Sequence, residues 1–348
     1  MKCLTYLDVN EEFAHRIEKE IRAALARLDS LPSHAPATAK APGATESAVT
    51  KLLHHQTMRH PLAVLPMLVH ATETGRPEPA LPLSAVHLLW WTSACYLDDL
   101  ADGHRAAASP GFGQSEGLLA SLISGTVLPI RIVQSLPVPE AVRLRLTAEI
   151  ATGWAVGTEG QLRDLTGIAD HATRDTVVTA YRGKSGGPYA MVTAMAAILS
   201  GAAEESVEQW REFGFLFGIL WQLFNDQEDI LTGRNEDLAN GTVTYLLSCA
   251  LEQAATPRRR EQLLGRCAAA RHSRRARSEL ARLLLAPDVL RRFGADLGTF
   301  RASAHRLLDE LGGDDTYRQA LHHLVDHAAQ LLLHPDLAPA PLAVPASA

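Results

Sequence analysis

Apolar residues recur at helical spacing along most of the chain. Near the N-terminus Phe13, Ile17 and Ile21 share one face, while charged residues occupy most of the other positions. Residues three and four positions apart lie on the same side of an α-helix, so this period predicts an amphipathic helix within residues 1–29. The stretch that follows, 30–47, is rich in Pro, Ala and Ser and is predicted to be a flexible linker.

Residues 48–333 alternate long apolar segments with short breaks that contain Pro, Gly, Asn or Asp. Strand-like alternation is nearly absent, so we predict an all-α protein with roughly ten to twelve helices, about eight of them long. Several segments are apolar almost all round, which indicates helices buried in a thick bundle with a central cavity or core. We therefore predict a single helical domain over 48–333, followed by a disordered tail at 334–348.

Composition and charge limit the classes of partner. Hydrophobic residues make up 47% and charged residues 21% of the 348 positions, and the formal net charge is -6. A negative field without a basic stripe repels nucleic acid, so no nucleic-acid partner is expected. The four cysteines show no CxxC spacing, and no apolar run reaches the length of about 18 residues that spans a bilayer. We expect a cytoplasmic protein without a membrane span.

The first candidate site closes an apolar segment with Asp98, Asp99 and Asp102. Asp98 and Asp102 are four residues apart and share a helix face, and Asp99 flanks them. Like charges at this spacing, near a helix C-terminus, cost stability unless a cation neutralises them. A solvated helix end is the alternative for this segment taken alone.

A second acidic segment ends another long apolar stretch, 214–231. Asn225 and Asp229 share one face, and Asp226 lies beside them. Two such helices offer the oxygen ligands that Mg²⁺ prefers. Carboxylates repel a diphosphate, and bridging metal ions both relieve that repulsion and stabilise a leaving diphosphate. The predicted metal ligands are therefore Asp98, Asp99, Asp102, Asn225, Asp226 and Asp229.

Together with two further motifs, these segments resemble the trans-isoprenyl diphosphate synthase (polyprenyl synthetase) family. Residues 98–102 are similar to its first DDxxD motif, and the WQLFNDQED of 221–229 is similar to its second motif, FQxxDDxxD. Residues 160–165 read GQLRDL, which matches its GQxxDL helix, and 181–185 resemble its Lys-Thr segment that contacts diphosphate. The resemblance covers about residues 51–333. It implies a class I terpenoid-synthase fold, three Mg²⁺ ions, an allylic prenyl diphosphate substrate and a homodimer.

The resemblance also implies substrate contacts. Lys184, Arg182 and Arg105 are expected to hold the leaving diphosphate, and the motif glutamines Gln161 and Gln222 are expected to bind substrate. We expect the prenyl-chain pocket in the turns before the acidic segments, where small residues leave room and aromatic faces stabilise a cation. Its predicted residues are Trp90, Trp91, Ser93, Ala94, Phe217 and Trp221. Ordinary core packing is the alternative for each single aromatic residue.

Three departures from the family pattern concern the second, isopentenyl, diphosphate. HQTMRHP at 55–61 replaces the family's GGKRxRP segment, GHRA at 103–106 replaces its arginine pair, and Thr242 replaces the lysine of DLxxGKxT. A diphosphate held without metal depends on Arg and Lys, so we expect this half of the site to be lost. Asn225 stands where the family has Asp, and it is similar to the first residue of the NDxxSxxxE motif of class I terpene cyclases.

The primary hypothesis is a class I terpene cyclase that ionises a C15 or C20 diphosphate with Mg²⁺ held by Asp98, Asp102, Asn225 and Asp229. The alternatives are a chain-elongating prenyl diphosphate synthase with replaced isopentenyl contacts, a prenyltransferase with a non-isoprenoid acceptor, and a non-catalytic partner subunit of a prenyl synthase. The retained aspartates argue against the last of these.

Overall fold

The computed structural model describes residues 4–29, 43–55, 61–101 and 112–334, and this part of the chain is built from helices and turns without any strand. The prediction of an all-α, single-domain bundle is confirmed. The sixteen α-helices of this part are α1 (Tyr6–Asp29), α2 (Ala44–His55), α3 (Leu65–Thr74), α4 (Leu81–Ala101), α5 (Gln114–Leu122), α6 (Leu128–Gln134), α7 (Glu140–Leu165), α8 (Arg174–Tyr181), α9 (Gly187–Ser200), α10 (Glu204–Leu231), α11 (Glu236–Asn240), α12 (Tyr245–Gln253), α13 (Pro257–Ala270), α14 (Arg274–Leu284), α15 (Pro287–Leu311) and α16 (Asp315–Ala328).

The N-terminal helix α1 packs into the same body as the rest of the chain. Its apolar face is buried, with Phe13, Ile17 and Ile21 at most 3% exposed, and it contacts α4. Burial of this stripe is what stabilises a helix whose remaining faces are charged. α1 is therefore part of the bundle that holds the cavity.

The end of the predicted linker, 30–47, is helical. α2 begins at Ala44, and its apolar residues Val49 and Leu52 are fully buried. Two buried apolar side chains at helical spacing anchor this helix to the rest of the protein. Residues 30–42 and the predicted disordered tail from 335 onward lie outside the described residues.

Helix α9 forms the centre of the bundle. All twelve residues from Gly187 to Ile198 are buried, and the helix packs against α3, α7 and α10. A helix that is apolar all round needs neighbours on every side, so the sequence of α9 dictates its central position. α4 and α10, the helices that carry the two acidic segments, both contact it.

Two π-turns interrupt the helices around the centre. Ile123–Val127 joins α5 to α6, and Arg182–Gly186 joins α8 to α9. The second π-turn packs directly on α7, because a Cβ atom on Gly160 would lie only 2.0 Å from the backbone nitrogen of Lys184. Only glycine permits this backbone contact, and the contact fixes the position of Lys184. π-turns of this kind occur frequently at functional sites.

The continuous helical stretch Gln114–Gln134 is long and apolar enough to cross a membrane by length and composition alone. Half of its apolar window is buried inside the protein, as in the core helices of many globular proteins. The sequence pattern did not reveal this stretch, because Glu116 and Arg131 interrupt the apolar run.

Substitution of Gly160 by Ala should destabilise the fold. The added methyl group would clash with backbone rather than with a movable side chain, and overpacking of this kind costs about 1–3 kcal/mol. The midpoint of urea unfolding, followed by circular dichroism, measures this loss. Gly265→Ala is the matched control, because Gly265 is exposed in the middle of α13 and a Cβ there meets no atom within 4 Å. We expect it to stabilise the protein by about 0.5–1 kcal/mol. Equal midpoints for the two variants would contradict the close contact.

Candidate active site

A cavity of about 450 Å³ lies between α4, α7, α10 and the π-turn at 182–186. The ends of the two acid-bearing helices meet at it, since both Asp98 of α4 and Asn225 of α10 line it. Eight of the predicted site residues are among its lining residues: Trp90, Trp91, Ala94, Asp98, Gln161, Lys184, Gln222 and Asn225.

Aromatic side chains form one wall of the cavity. The rings of Trp90 and Trp154 lie 4.5 Å apart between centroids, and Gly157 leaves room beneath Trp90. The indole N–H of Trp154 donates to the backbone carbonyl of Gly125 at 2.8 Å, which ties this wall to the first π-turn. Sequence reasoning missed Trp154. Its signal was present, because Trp154, Gly157 and Gln161 share one face of α7.

Charged and amide groups from three helical segments meet at the other end of the cavity. Gln161 Nε2 donates to Asp98 Oδ1 at 2.5 Å, and Lys184 Nζ lies 3.2 Å from the same oxygen. Lys184 Nζ also donates to Asp164 Oδ2 at 2.8 Å. Asp164, the aspartate of the GQLRDL motif, was not predicted as a site residue. The half-buried ammonium of Lys184 therefore pairs with one carboxylate from α4 and one from α7, which leaves the group with one net negative charge.

Asp226 is buried behind the cavity and does not line it. Tyr181 Oη donates to its Oδ2 at 2.5 Å, and Gln222 Nε2 donates to its Oδ1 at 2.9 Å. Burial raises the pKa of Asp226 to about 7, although these two hydrogen bonds act to lower it. The Gln222 oxygen in turn accepts from Ser185 Oγ at 2.5 Å, so a chain of hydrogen bonds runs from the cavity wall to Asp226.

Tyr181 has two hydrogen-bond partners and was not predicted. Besides donating to Asp226, its hydroxyl oxygen accepts from the backbone N–H of Tyr245 at 3.0 Å. Burial and the neighbouring Asp226 raise the pKa of Tyr181 well above its ordinary value, so it remains a donor. Tyr181 therefore connects the start of the second π-turn with α10 and with the start of α12.

Asp229 caps a helix and, unlike Asn225, is not among the residues that line the cavity. Its Oδ1 accepts from the backbone N–H of Glu236 at 3.0 Å, and its Oδ2 accepts from that of Asp237 at 3.3 Å. α10 ends at Leu231, and the turn that follows brings the start of α11 back onto this carboxylate. The shared helical face was read correctly, but the free N–H groups of α11 satisfy the carboxylate oxygens.

Three further predicted pocket residues are not among those that line the cavity. Ser93 is buried and donates to the backbone carbonyl of Ser121 at 3.0 Å. Phe217 is fully buried, with its ring 4.9 Å from that of Tyr189. Trp221 is partly buried and stacks on Phe224 with ring centroids 5.5 Å apart. Core packing, the alternative weighed for single aromatic residues, is the role that Phe217 has.

The structure does not bring Arg182 to the cavity. Its guanidinium donates to Glu212 of α10 at 3.0 Å and lies 4.0 Å from the centroid of the Phe215 ring. Arg182 and Lys184 are two residues apart, so a helical backbone points their side chains in different directions.

Asp99 is likewise not among the residues that line the cavity. Asp102 and Arg105, also predicted for the site, lie outside the described residues.

The donor atoms at the cavity fit Mg²⁺ better than a softer metal. The described lining residues offer a carboxylate at Asp98 and an amide oxygen at Asn225, and oxygen donors of this kind suit Mg²⁺. In the described part of the chain no three His, Cys, Asp or Glu side chains gather closely enough to hold a metal ion by themselves. Mg²⁺ tolerates such a sparse set, because it binds one or two carboxylates and completes its shell with water and substrate phosphate oxygens.

Removal of the Tyr181 hydroxyl should destabilise the protein. Tyr181→Phe would leave the buried carboxylate of Asp226 and the backbone N–H of Tyr245 each without one partner, at a cost of about 2–4 kcal/mol. Urea unfolding measures the loss, and Tyr317→Phe is the control because Tyr317 is only partly buried. A Tyr181→Phe variant as stable as the control would show that the two hydrogen bonds contribute nothing.

Comparisons with known proteins agree with this architecture. The family model "Polyprenyl synthetase" matches residues 96–282, more than half of the chain. A decaprenyl diphosphate synthase from Rhodobacter capsulatus is 19% identical, with a TM-score of 0.74 over 93% of this chain and 97% of the other. A geranylgeranyl pyrophosphate synthase from Corynebacterium glutamicum, complexed with isoprenyl diphosphate and magnesium, is 16% identical, with a TM-score of 0.74 over 92% and 98%.

A polyprenyl synthase from Caulobacter crescentus CB15, complexed with calcium and isoprenyl diphosphate, is also 16% identical, with a TM-score of 0.74 over 93% and 96% of the two chains. At these identities the likeness shows the fold alone. No curated protein matches the sequence. The matched family model covers the first acidic segment, the Lys184 π-turn and the second acidic segment, so the resemblance read from the motifs is confirmed. The chain belongs to the polyprenyl synthetase family.

Proposed function

We propose that this chain binds one allylic prenyl diphosphate of 15 or 20 carbons, ionises it and cyclises the carbocation that results. The observation that carries the proposal is the division of the cavity into two ends. Asp98, Lys184 and Asn225 provide a polar end for a metal-bound diphosphate, and Trp90 and Trp154 provide an aromatic wall for the hydrocarbon. The volume of about 450 Å³ falls within the range of about 300–1,000 Å³ that is common for small-molecule sites.

Each group at the polar end has a task in this proposal. Asp98, oriented by Gln161, and Asn225 would hold Mg²⁺, which when bound neutralises the diphosphate and stabilises it as a leaving group. Lys184 would exchange its contact with Asp98 for a diphosphate oxygen and keep its contact with Asp164. The C–O bond then breaks and the electron pair leaves with the diphosphate.

The aromatic wall would act on the carbocation that remains. The face of an aromatic ring attracts a cation, and the interaction is worth about 0.5–2 kcal/mol when water is excluded. Trp154 is held in place by its hydrogen bond to Gly125 and by its contact with Trp90. A fixed wall restricts the shapes that a folded prenyl chain adopts, and the shape decides which carbons join.

The charge of the cavity favours one diphosphate over two. Among the described lining residues Lys184 is the single cationic side chain, and it is already paired with two carboxylates. A second diphosphate without metal would need Arg or Lys forks. In the sequence, Thr242 replaces one of the family's lysines at that site. The segments 55–61 and 103–106 lie largely outside the described residues, so their contribution remains a prediction from sequence.

Chain elongation is the second candidate, because family membership favours it. Members of the polyprenyl synthetase family act in prenyl diphosphate metabolism, and the similar structures include geranylgeranyl and decaprenyl diphosphate synthases. In that case an isopentenyl diphosphate would attack the same allylic cation. Transfer to a non-isoprenoid acceptor and a role as a partner subunit remain further alternatives.

An assay with and without isopentenyl diphosphate separates these functions. The purified protein is incubated with Mg²⁺ and C10, C15 or C20 allylic diphosphate, and products are identified by gas chromatography with mass spectrometry. We expect hydrocarbon or alcohol to form from C15 or C20 substrate without isopentenyl diphosphate. If longer diphosphates form, and only when isopentenyl diphosphate is present, the function is chain elongation and not cyclisation. Turnover that requires an added second subunit would favour the role of a partner subunit.

In the same assay Asp98→Ala should lower diphosphate release at least about 100-fold, because the loss of a group that stabilises developing charge costs this much. Chelation of Mg²⁺ with EDTA should stop release by the unaltered protein. Asp170→Ala is the matched control, since Asp170 is an exposed aspartate of the turn at Ala169–His171 that does not line the cavity. Undiminished release by Asp98→Ala, with an unchanged circular dichroism spectrum, would remove Asp98 from the mechanism.

We also propose that a second copy of the chain covers the exposed face of α5. Seven of the eleven large hydrophobic side chains that are exposed in the described residues lie between positions 118 and 168. Leu118, Leu119 and Leu122 are 51%, 64% and 59% exposed and share one side of α5. Apolar stripes of this kind mark interaction sites. A homodimer, as the family resemblance implies, would bury the stripe without any need for a membrane.

A charge placed in this stripe should dissociate the dimer. We expect Leu119→Glu to shift the mass measured by light scattering from that of two chains to that of one, because a buried unpaired carboxylate opposes association. Leu283→Glu introduces the same charge at a leucine of α14 that is 40% exposed, and it should leave the mass unchanged. A single-chain mass for the unaltered protein would refute the proposal directly.

A further inference from the structure

Two histidines meet head to head on the C-terminal helices, outside the residues that line the cavity. His305 of α15 and His322 of α16 bring their Nδ1 atoms to 2.6 Å. The ring planes are inclined by only 21°, with centroids 4.9 Å apart. The distance between the centroids is close to the Nδ1–Nδ1 distance plus the distance from each centroid to its own Nδ1 atom. The rings therefore meet edge to edge and not face to face. The geometry is that of an N–H···N hydrogen bond between helices.

The outer nitrogen of each ring faces a carboxylate. His305 Nε2 lies 2.8 Å from Asp326 Oδ1, and His322 Nε2 lies 3.2 Å from Asp309 Oδ1. Each carboxylate therefore belongs to the helix opposite its histidine, and the four side chains form one chain across the seam. The two rings are partly buried, with side chains 24% and 16% exposed.

These contacts fix the number of protons on the pair. A neutral imidazole carries one N–H and one lone pair. Each Nε2 faces a carboxylate oxygen and so must carry a proton. Two neutral rings would then direct two lone pairs at each other across 2.6 Å, and two imidazolium rings would direct two N–H groups at each other. Three protons on the four nitrogens satisfy every contact.

We infer that His305 and His322 share a single Nδ1 proton and form a proton-binding site that closes the seam between α15 and α16. The pair then carries one positive charge between Asp326 and Asp309, which neutralise it. A metal ion does not fit between the nitrogens, because tetrahedral zinc with bonds of about 2.0 Å needs them about 3.3 Å apart. The inference does not depend on the proposed enzymatic function.

The charged neighbours of the pair are few. Arg301 of α15 lies 2.7 Å from Asp326, and Arg318 of α16 lies 3.8 Å from Asp309. α10 packs against both helices, α12 packs against α15, and α1 and α3 pack against α16. None of the described charged side chains of these four helices forms a hydrogen bond or an ion pair with either ring. Although burial acts to raise it, hydrogen bonds from Arg301 and His305 lower the pKa of Asp326, so this carboxylate stays ionised.

A shared proton between His305 and His322 makes the stability of the folded protein fall both in acid and in base. In the unfolded chain each histidine takes up one further proton near pH 6.5, whereas the folded pair holds only one proton beyond the two that its neutral rings carry. Below about pH 6.5 the unfolded chain binds more protons than the folded pair, so stability falls as the pH falls. Above about pH 6.5 the folded pair binds more, so stability falls as the pH rises. Burial and the positive charge of the partner ring lower the pKa of His322, which agrees with resistance to a second proton.

Nuclear magnetic resonance of the full chain labelled with ¹⁵N-histidine tests the proton count. Between about pH 5.5 and about pH 7.5 we expect both Nε2 atoms of the pair to stay protonated and both Nδ1 signals to be intermediate between protonated and bare nitrogen. The signals of His323, an exposed histidine of α16, are recorded in the same spectra for comparison. Independent titration of His305 and His322 would overturn the inference.

A double-mutant cycle tests the link to stability. His305→Gln, His322→Gln and the double variant are compared by urea unfolding, with His323→Gln as the control. Near pH 6.5 we expect a coupling of about tenfold in the unfolding equilibrium constant, which declines toward pH 5 and toward pH 8.5. Coupling that is absent, or that is constant across this range, would contradict a shared proton. The resonance experiment remains decisive if a variant fails to fold.

Discussion

The position of one ammonium group organises the polar end of the cavity. Lys184 lies between Asp98 of α4 and Asp164 of α7, and all three side chains are half-buried or buried. Three charges withdrawn from water are tolerated only when they neutralise one another at close range. The site retains one negative charge from this group before any ligand arrives. A metal-bound diphosphate would complete a cluster that is already organised around opposite charges.

The second acidic segment divides its polar residues between site and scaffold. Asn225 reaches the cavity, Asp226 accepts hydrogen bonds in the interior, and Asp229 caps the short helix α11. Burial and the neighbouring Asp226 and Asp229 also raise the pKa of Asp237 well above its usual range. Adjacent positions of one motif thus differ in their contacts: Asn225 lines the cavity, while the carboxylates of Asp226 and Asp229 accept hydrogen bonds from the protein.

Periodicity was sufficient to predict the bundle and the meeting of two helix ends at a cavity. The buried stripe of α1, with Phe13 and Ile17, follows directly from helical spacing, as does the placement of Asp98 at the end of α4. Periodicity was insufficient to predict the contacts of Arg182, Asp229 and Trp154. Spacing identifies which residues share a helix face, but not which residues that face contacts. The fate of Asp229 depended on a turn that returns the chain to it, and that of Arg182 on a glutamate 30 residues away in sequence.

Both π-turns are connected to the cavity: Arg182–Gly186 contributes the lining residue Lys184, and Gly125 of Ile123–Val127 accepts the hydrogen bond of the lining residue Trp154. A π-turn contains one residue more than the corresponding α-turn. Loss of a single codon in either segment would restore regular α-helical winding, and the side chains and backbone groups that the wide turn presents would shift. The position of Lys184 and the anchor of Trp154 thus each depend on the length of one turn, so a change of one residue there would alter the cavity on an unchanged scaffold.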